Sequence, residues 1–179
     1  MSTYREDTRV QIPASHELIY GPVGSGKTWT VREHLAAESD AKNTQTWIVD
    51  PHMAVPDFSF AAHKYANTGP EINDLLVSLV GETVIRAEQL ASLDVAEFTP
   101  GDPKHGLPQI VVTVEAAEDV LVDERRRFLV ERVIRVSAKT GIRFRLVVPK
   151  PHVGWFGGSE LIRSTMTSGA VFACEKATA

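Results

Sequence analysis

Short runs of apolar residues alternate along the chain with longer segments in which apolar residues recur at helical spacing. This alternation is typical of βαβ units, in which crossover helices join parallel strands. The runs predict strands at 18–20, 47–50, 63–66, 110–114, 142–148 and 170–174. The expected fold class is α/β, with a mainly parallel sheet of about five strands and helices on both faces.

The helical segments carry start and stop signals. A first helix is predicted over 26–37, directly after the first strand. Thr68-Gly-Pro-Glu71 has the spacing of a capping box, and an apolar stripe follows it as far as Val84. A further helical segment is predicted to run to Lys139, with Gly141 as its C-terminal cap. Residues 94–107 predict a loop, and 161–166 a short helix.

Length and composition indicate one globular domain. The chain has 179 residues, 43% of them hydrophobic, which suits a single core. We expect an N-terminal extension over 1–15 and one domain over 16–179. The apolar runs are shorter than the ~18 residues that a membrane span needs, and no signal peptide is evident. A lone Cys174 suits a reducing compartment, so the expected location is the cytoplasm.

Charge is distributed unevenly. The net charge is −4, yet residues 121–163 hold ten Lys and Arg against four Asp and Glu, a local +6, which leaves −10 for the remainder. Arg132, Arg135 and Lys139 fall on one helical stripe of this basic region, and Trp155 lies in a glycine-flanked loop later in the same region. These four are the candidate DNA contacts. A solvated helix face, and core packing for Trp155, are the structural alternatives.

The sequence GPVGSGKT matches the phosphate-binding loop pattern G-x-x-x-x-G-K-[ST] in full, between a predicted strand and a predicted helix. Glycines let successive backbone N–H groups curl around an anion, and the helix adds the positive end of its dipole. A lysine here reaches β- and γ-phosphates, and the hydroxyl of the last residue completes the shell of Mg²⁺. The predicted ATP-binding residues are Gly21, Pro22, Val23, Gly24, Ser25, Gly26, Lys27 and Thr28.

The stretch EAAED after the fourth strand poses the catalytic question. Glu115 ends a buried strand that we expect beside the strand of the phosphate loop, so it is the candidate Mg²⁺ carboxylate with Thr28. Glu115 and Lys27 are also the candidate catalytic residues. Ala116 stands where a hydrolytic carboxylate would activate water. Glu118 and Asp119 could substitute for it, but their positions are more typical of solvated helix residues.

In the order of its motifs the chain resembles the FtsK/SpoIIIE family of DNA translocases, within the FtsK–HerA group. GPVGSGKT stands at the family's Walker A motif, WIVDPH at 47–52 is similar to its Asp-Pro-Lys strand, and LPQIVVTVEAAEDVL at 107–121 is similar to its Walker B segment. The segments at 135–153 and 160–174 resemble the remaining strands. The resemblance implies a RecA-like P-loop NTPase domain. It also places Ala116 at the catalytic glutamate, Pro149 at a polar sensor and Lys150 at an arginine.

The function expected from this resemblance is an ATP-binding motor domain of the double-stranded-DNA translocase type, with hydrolysis weakened by Ala116. ATP and Mg²⁺ are the expected cofactors. Double-stranded DNA, and a homo-oligomeric ring or a hetero-oligomer with a paralogue, are the expected partners. A catalytically silent ATP-binding module that assembles with an active paralogue is the alternative. A small-molecule P-loop kinase is third, since no distinct arginine-rich lid is visible.

Overall fold

A computed structural model describes residues 15–53 and 58–172. The predicted N-terminal extension, apart from Ser15, and the last residues of the domain lie outside this range. The strands are β1 (His16–Tyr20), β2 (Thr44–Val49), β3 (Lys64–Ala66), β4 (Gln109–Val114), β5 (Ile142–Val148) and β6 (Met166–Val171). The helices are α1 (Lys27–Ser39), α2 (Gly69–Ser92), α3 (Ala117–Leu121), α4 (Glu124–Ile134), α5 (Ser137–Thr140) and α6 (Glu160–Thr165).

The six strands form one sheet in the order β3-β2-β4-β5-β1-β6, and every neighbouring pair is parallel. The α/β prediction is therefore confirmed. The expected adjacency of β4 and β1 is wrong, because β5 pairs with both and lies between them. β5 is mainly apolar and buried along most of its length, as is typical of a central strand covered on both faces.

Alternating residues of the strands build two cores on opposite faces of the sheet. Ile19, Ile48 and Val147 face α1 and pack with Val31 and Leu35 of that helix. Their neighbours along the strands point the other way and belong to a larger core with α2, α3, α4 and α6. The prediction of helices on both faces is confirmed.

The helix signals have different outcomes. Both halves of the capping box form between Thr68 and Glu71. Thr68 is the N-cap, and α2 begins directly after it at Gly69. Gly141 caps α5 in the left-handed conformation, with φ 70°. The long helix expected before it is instead divided into α3, α4 and α5. The chain divides at Asp123 because this residue is an N-cap. Its side chain accepts a hydrogen bond from the backbone N–H of Arg126, and α4 begins at the next residue, Glu124.

The last strand also differs from its prediction. β6 begins at Met166, four residues before the predicted start at Ala170, and ends at Val171. The predicted end at Cys174 lies outside the described residues. Gly169 permits this pairing, because a Cβ there would collide with the backbone of Leu18 on β1. The predicted loop at 94–107 contains no helix or strand and is confirmed.

A buried ion-pair network fixes α1 to the sheet. Arg145 of β5 bonds both Glu17 of β1 and Glu38 of α1, and the guanidinium and the Glu38 carboxylate are fully buried. The paired glutamates keep the pKa of Arg145 above its usual value although burial acts against them. The network connects the helix of the phosphate loop to two central strands. Among the helices of residues 15–53 and 58–172, none is long and apolar enough to cross a membrane.

Candidate nucleotide-binding site

The phosphate loop joins the carboxyl end of β1 to the first turn of α1. Gly24 and Gly26 have φ values of 80° and 95°, a region that glycine enters without strain. Gly21 meets a different constraint, because a Cβ there would lie 2.7 Å from the Cβ of Phe172. The glycines of the motif are thus required by backbone conformation and by close packing, in agreement with the sequence pattern.

The ammonium of Lys27 lies over the loop. Its Nζ donates hydrogen bonds to the backbone oxygens of Gly21, at 2.6 Å, and Pro22, at 2.9 Å. The side chain is half-buried and held at the mouth of the loop by the loop's own carbonyls. A phosphate in the loop would offer the same ammonium a charged acceptor, which makes a stronger hydrogen bond than a carbonyl.

Thr28 connects the loop to β4 across β5. Its hydroxyl donates to Oε1 of Glu115 at 3.2 Å. The other carboxylate oxygen of Glu115 is shielded from solvent and has no hydrogen-bond partner among the described residues. The two predicted metal ligands are therefore in contact although β5 separates their strands. Glu115 follows the carboxyl end of β4, and the phosphate loop brings Thr28, in the first turn of α1, to the same edge of the sheet.

This pair fits Mg²⁺ held together with a nucleotide. Mg²⁺ is usually bound by one or two side-chain oxygens together with phosphate oxygens and water, and the unsatisfied oxygen of Glu115 is available for that role. No cluster of three His, Cys, Asp or Glu side chains suited to a metal occurs in the described part of the chain. The arrangement thus supports a metal held through the nucleotide rather than a metal held by protein alone.

The electrostatics of Glu115 favour a cation beside its carboxylate. Burial raises the pKa of Glu115 to about 7, and the negative charges of Asp50 and Glu118 add to this rise. The hydrogen bond from Thr28 and the charge of Lys27 act in the opposite direction. A carboxyl in this environment gains from a nearby cation because its charged form is otherwise poorly solvated.

Ala116 provides no side chain that could accept a proton. It adopts the left-handed conformation, with φ 46° and ψ 52°, at the N-cap of α3. Outside glycine this conformation is uncommon and costs about 1 kcal/mol or more. Ala116 directly follows Glu115. It is the position at which a catalytic carboxylate is expected from the family resemblance, and the chain has alanine there.

Glu118 and Asp119 differ from each other. Asp119 is exposed and pairs with His52, whose Nε2 lies 2.7 Å from the aspartate Oδ2. Glu118 is half-buried, and its Oε2 has no hydrogen-bond partner in the described structure. Burial raises the pKa of Glu118, while the charge of Lys27 lowers it. The interpretation of Glu118 as a solvated helix residue is wrong, because α3 packs against α4 and β5 and one carboxylate oxygen of Glu118 is shielded from solvent.

Asp50 is the residue of this site that sequence reasoning did not select. It follows β2, is fully buried, and accepts a hydrogen bond from the Tyr65 hydroxyl at 3.1 Å. Its charge is one of the causes that raise the pKa of Glu115. The available signal was an aspartate before Pro51 at the end of a buried strand, the same edge of the sheet as Glu115.

The candidate DNA contacts lie elsewhere. Arg132 and Arg135 are exposed at the end of α4, and Lys139 is exposed on the separate helix α5. Their neighbour Arg126 is structural, since it bonds Asn73 and the Gly69 backbone oxygen of α2. Trp155 is half-buried against the larger core, the packing alternative left open by its sequence, and its contact with DNA stays a prediction.

Comparison with solved structures identifies the fold. The conjugation coupling protein TcpA of pCW3, solved in a monomer form with ATPγS, superposes with a TM-score of 0.74 at 20% identity over 88% of this chain. EssC of Geobacillus thermodenitrificans, its ATPases 2 and 3, superposes at 0.68 with 16% identity over 92%. The type VII secretion ATPase EccC of Thermomonospora curvata superposes at 0.68 with 13% identity over 88%.

The chain therefore has the same α/β fold as these ATPase structures. The chain spans 48% of the TcpA structure, 33% of EssC and 20% of EccC. The sequence matches no family model and no curated protein. Structural likeness at these identities establishes the fold alone.

Proposed function

We propose that this chain is an ATP-binding motor domain of the double-stranded-DNA translocase type, with weakened hydrolysis. The observation that carries the proposal is the contact between Thr28 and Glu115 at the mouth of a complete phosphate loop. The loop would supply backbone N–H groups and Lys27 for the phosphates, and the contact would supply two oxygens for Mg²⁺. Bound Mg²⁺ would supply positive charge to offset the phosphate oxygens.

Weak hydrolysis is inferred from what stands next to Glu115. Ala116 has no acceptor for a proton from water, and loss of a positioned general base typically costs about 10²–10⁴ in rate. Pro149, at the end of β5, offers no polar side chain toward the same edge of the sheet. Binding needs neither residue, because the loop, Lys27 and the metal provide the affinity.

The lack of a proton acceptor at Ala116 also favours a second candidate function. This is a catalytically silent ATP-binding module that assembles with an active paralogue. In that case nucleotide would regulate assembly, and any turnover would depend on the partner. The two candidates are distinguished by the response of this chain alone to DNA. A motor domain accelerates its own turnover on duplex DNA, whereas a silent module does not.

Exposed positive charge on this chain supports DNA as the substrate. The solved neighbours include both a conjugation coupling protein and secretion ATPases, so the fold does not select between DNA and polypeptide. The exposed Arg132, Arg135 and Lys139 suit a polyanion. We propose that they contact duplex DNA within a ring of copies or in a hetero-oligomer with a paralogue.

The test of nucleotide binding is Lys27→Ala. We expect calorimetry to detect MgATP binding by the wild type and none by the variant, because the ammonium that meets the phosphate charge is gone. Lys42→Ala is the matched control, since Lys42 is an exposed lysine outside the loop, and it should bind as the wild type does. Equal affinity in Lys27→Ala, with an unchanged melting temperature, would contradict the assignment of the phosphate loop.

A further inference from the structure

Trp29 is the first residue of α1 beyond the phosphate-loop motif, and its side chain is 61% exposed. The helix is anchored to the sheet by Val31 and Leu35, which are fully buried. Two positions along a helix correspond to a rotation of about 200°, so Trp29 lies on the side opposite Val31. An indole usually buries a large apolar surface, and this one is left open beside the site.

The indole is held in place from its edge. Its Nε1 donates to Oε1 of Glu33, one turn further along α1, at 3.1 Å. This bond engages the only polar atom of the side chain and reduces the rotamer freedom of the ring. A preorganised ring loses less entropy when a ligand packs against it than a freely rotating ring does.

The direction of a bound triphosphate is set by the geometry at Lys27 and Thr28. The lysine serves the β- and γ-phosphates, and the contact of Thr28 with Glu115 marks the metal side of the loop. In a bound triphosphate, the α-phosphate and the nucleoside attached to it would therefore leave the loop on the side away from Glu115. Trp29 follows Thr28 directly and is rotated about 100° from it around the helix, away from that contact.

We infer that Trp29 is the stacking surface for the base of the bound nucleotide, an inference that rests on the proposed nucleotide-binding function. Stacking uses the π-face that every base has, so it adds affinity without reading the base edge. Because Nε1 is engaged by Glu33, Trp29 offers no hydrogen bond with which to distinguish adenine from guanine. Trp29 thus contributes equally to the binding of ATP and GTP.

The experiment compares ligands with and without a base. MgATP, MgGTP and Mg-tripolyphosphate are titrated calorimetrically into the wild type, Trp29→Ala and Trp29→Phe. Trp29→Ala is expected to weaken the binding of both nucleotides by roughly 5- to 150-fold, the range typical of base–aromatic stacking, and to leave the affinity for tripolyphosphate within about two-fold of the wild type. Trp29→Phe keeps a ring and should recover most of the loss. Phe128→Ala, which removes an exposed aromatic ring of α4, is the control and should change nothing.

A second measurement does not depend on the alanine variant. Trp47 is 2% exposed and Trp155 half-buried, so a base that stacks on Trp29 should quench the fluorescence of the exposed indole in the wild type. Tripolyphosphate should leave that signal unchanged. Equal ATP affinity in Trp29→Ala, or ATP binding without a fluorescence change, would overturn the inference alone. Failure of the wild type to bind either ATP or tripolyphosphate would instead overturn the proposed function.

Discussion

At the scale of single residues, a polar side chain can be buried when each of its polar atoms has a hydrogen-bond partner. His16 is the clearest case away from the loop. Its Nδ1 accepts from the backbone N–H of Phe144 at 3.0 Å, and its Nε2 lies 2.9 Å from the hydroxyl of Ser137. The Ser137 hydroxyl itself donates to the Ile134 oxygen, so the neutral ring donates from Nε2. A second ring proton would break the bond from Phe144.

This geometry predicts acid sensitivity. Burial, with a smaller contribution from Arg143, lowers the pKa of His16 from 6.5 to about 4. Below pH 6.5 the unfolded chain takes up a proton that the folded chain refuses, so stability falls as the pH drops toward 4. Between these values the wild type should lose about 3 kcal/mol more than His16→Gln, measured by urea denaturation. Identical pH profiles for the two proteins would contradict the buried neutral ring.

At the scale of elements, the two glycines Gly141 and Gly81 show how position decides the effect of one methyl group. Gly141 ends α5 at φ 70°, and a Cβ there would lie 2.5 Å from the ring of Phe98. Gly81 stands in the interior of α2, and a Cβ there would meet nothing within 4 Å. The same substitution therefore has opposite consequences at the two sites.

Gly141→Ala should destabilise the domain by about 1–3 kcal/mol, through the left-handed backbone and the clash with Phe98. Gly81→Ala should stabilise it by about 0.5–1 kcal/mol, since alanine is the better helix former in an open position. Chemical denaturation of both variants measures the difference. Equal stabilities would show that the C-terminal cap at Gly141 is not required for the fold.

The exposed basic residues of α4 and α5 give the element-scale test of DNA binding. Arg132→Glu combined with Arg135→Glu should weaken the binding of duplex DNA and flatten its salt dependence, because fewer phosphate contacts release fewer counterions. Lys42→Glu combined with Lys104→Glu is the matched control, with the same change in net charge outside these helices. Fluorescence anisotropy over a salt series measures both. If the two double variants bind alike, Arg132 and Arg135 belong to a solvated face.

Sequence patterns located the elements better than their arrangement. Apolar runs predicted β5 at its observed bounds, and turn chemistry identified Thr68 and Gly141, since these signals are local. The position of β5 between β1 and β4 depends on packing across the sheet, which no local run encodes. The half-burial of Glu118 likewise depends on the packing of α3 against α4 and β5. Asp123 was a visible N-cap signal for α4, but the apolar periodicity continued across it.

At the scale of the whole molecule, the fold brings distant segments together at the carboxyl edge of the sheet. The first 30 residues supply Lys27 and Thr28, β2 supplies Asp50, and β4 supplies Glu115 and the strained Ala116. The buried Arg145 network holds the helix of the loop on this scaffold. On the proposed function, these residues would hold MgATP, and the position expected to activate water carries the methyl group of Ala116.

The measurement that tests this account most directly is ATP turnover, with and without linear duplex DNA, by the wild type, Ala116→Glu and Ala116→Gln. We predict slow turnover by the wild type and a rise of about ten-fold or more in Ala116→Glu, which regains a general base. The rise should be partial because Pro149 still replaces a polar group. Ala116→Gln, similar in size but unable to accept the proton, should stay slow. Rapid DNA-stimulated turnover by the wild type would contradict the account, and its loss in Glu118→Gln would identify Glu118 as the base.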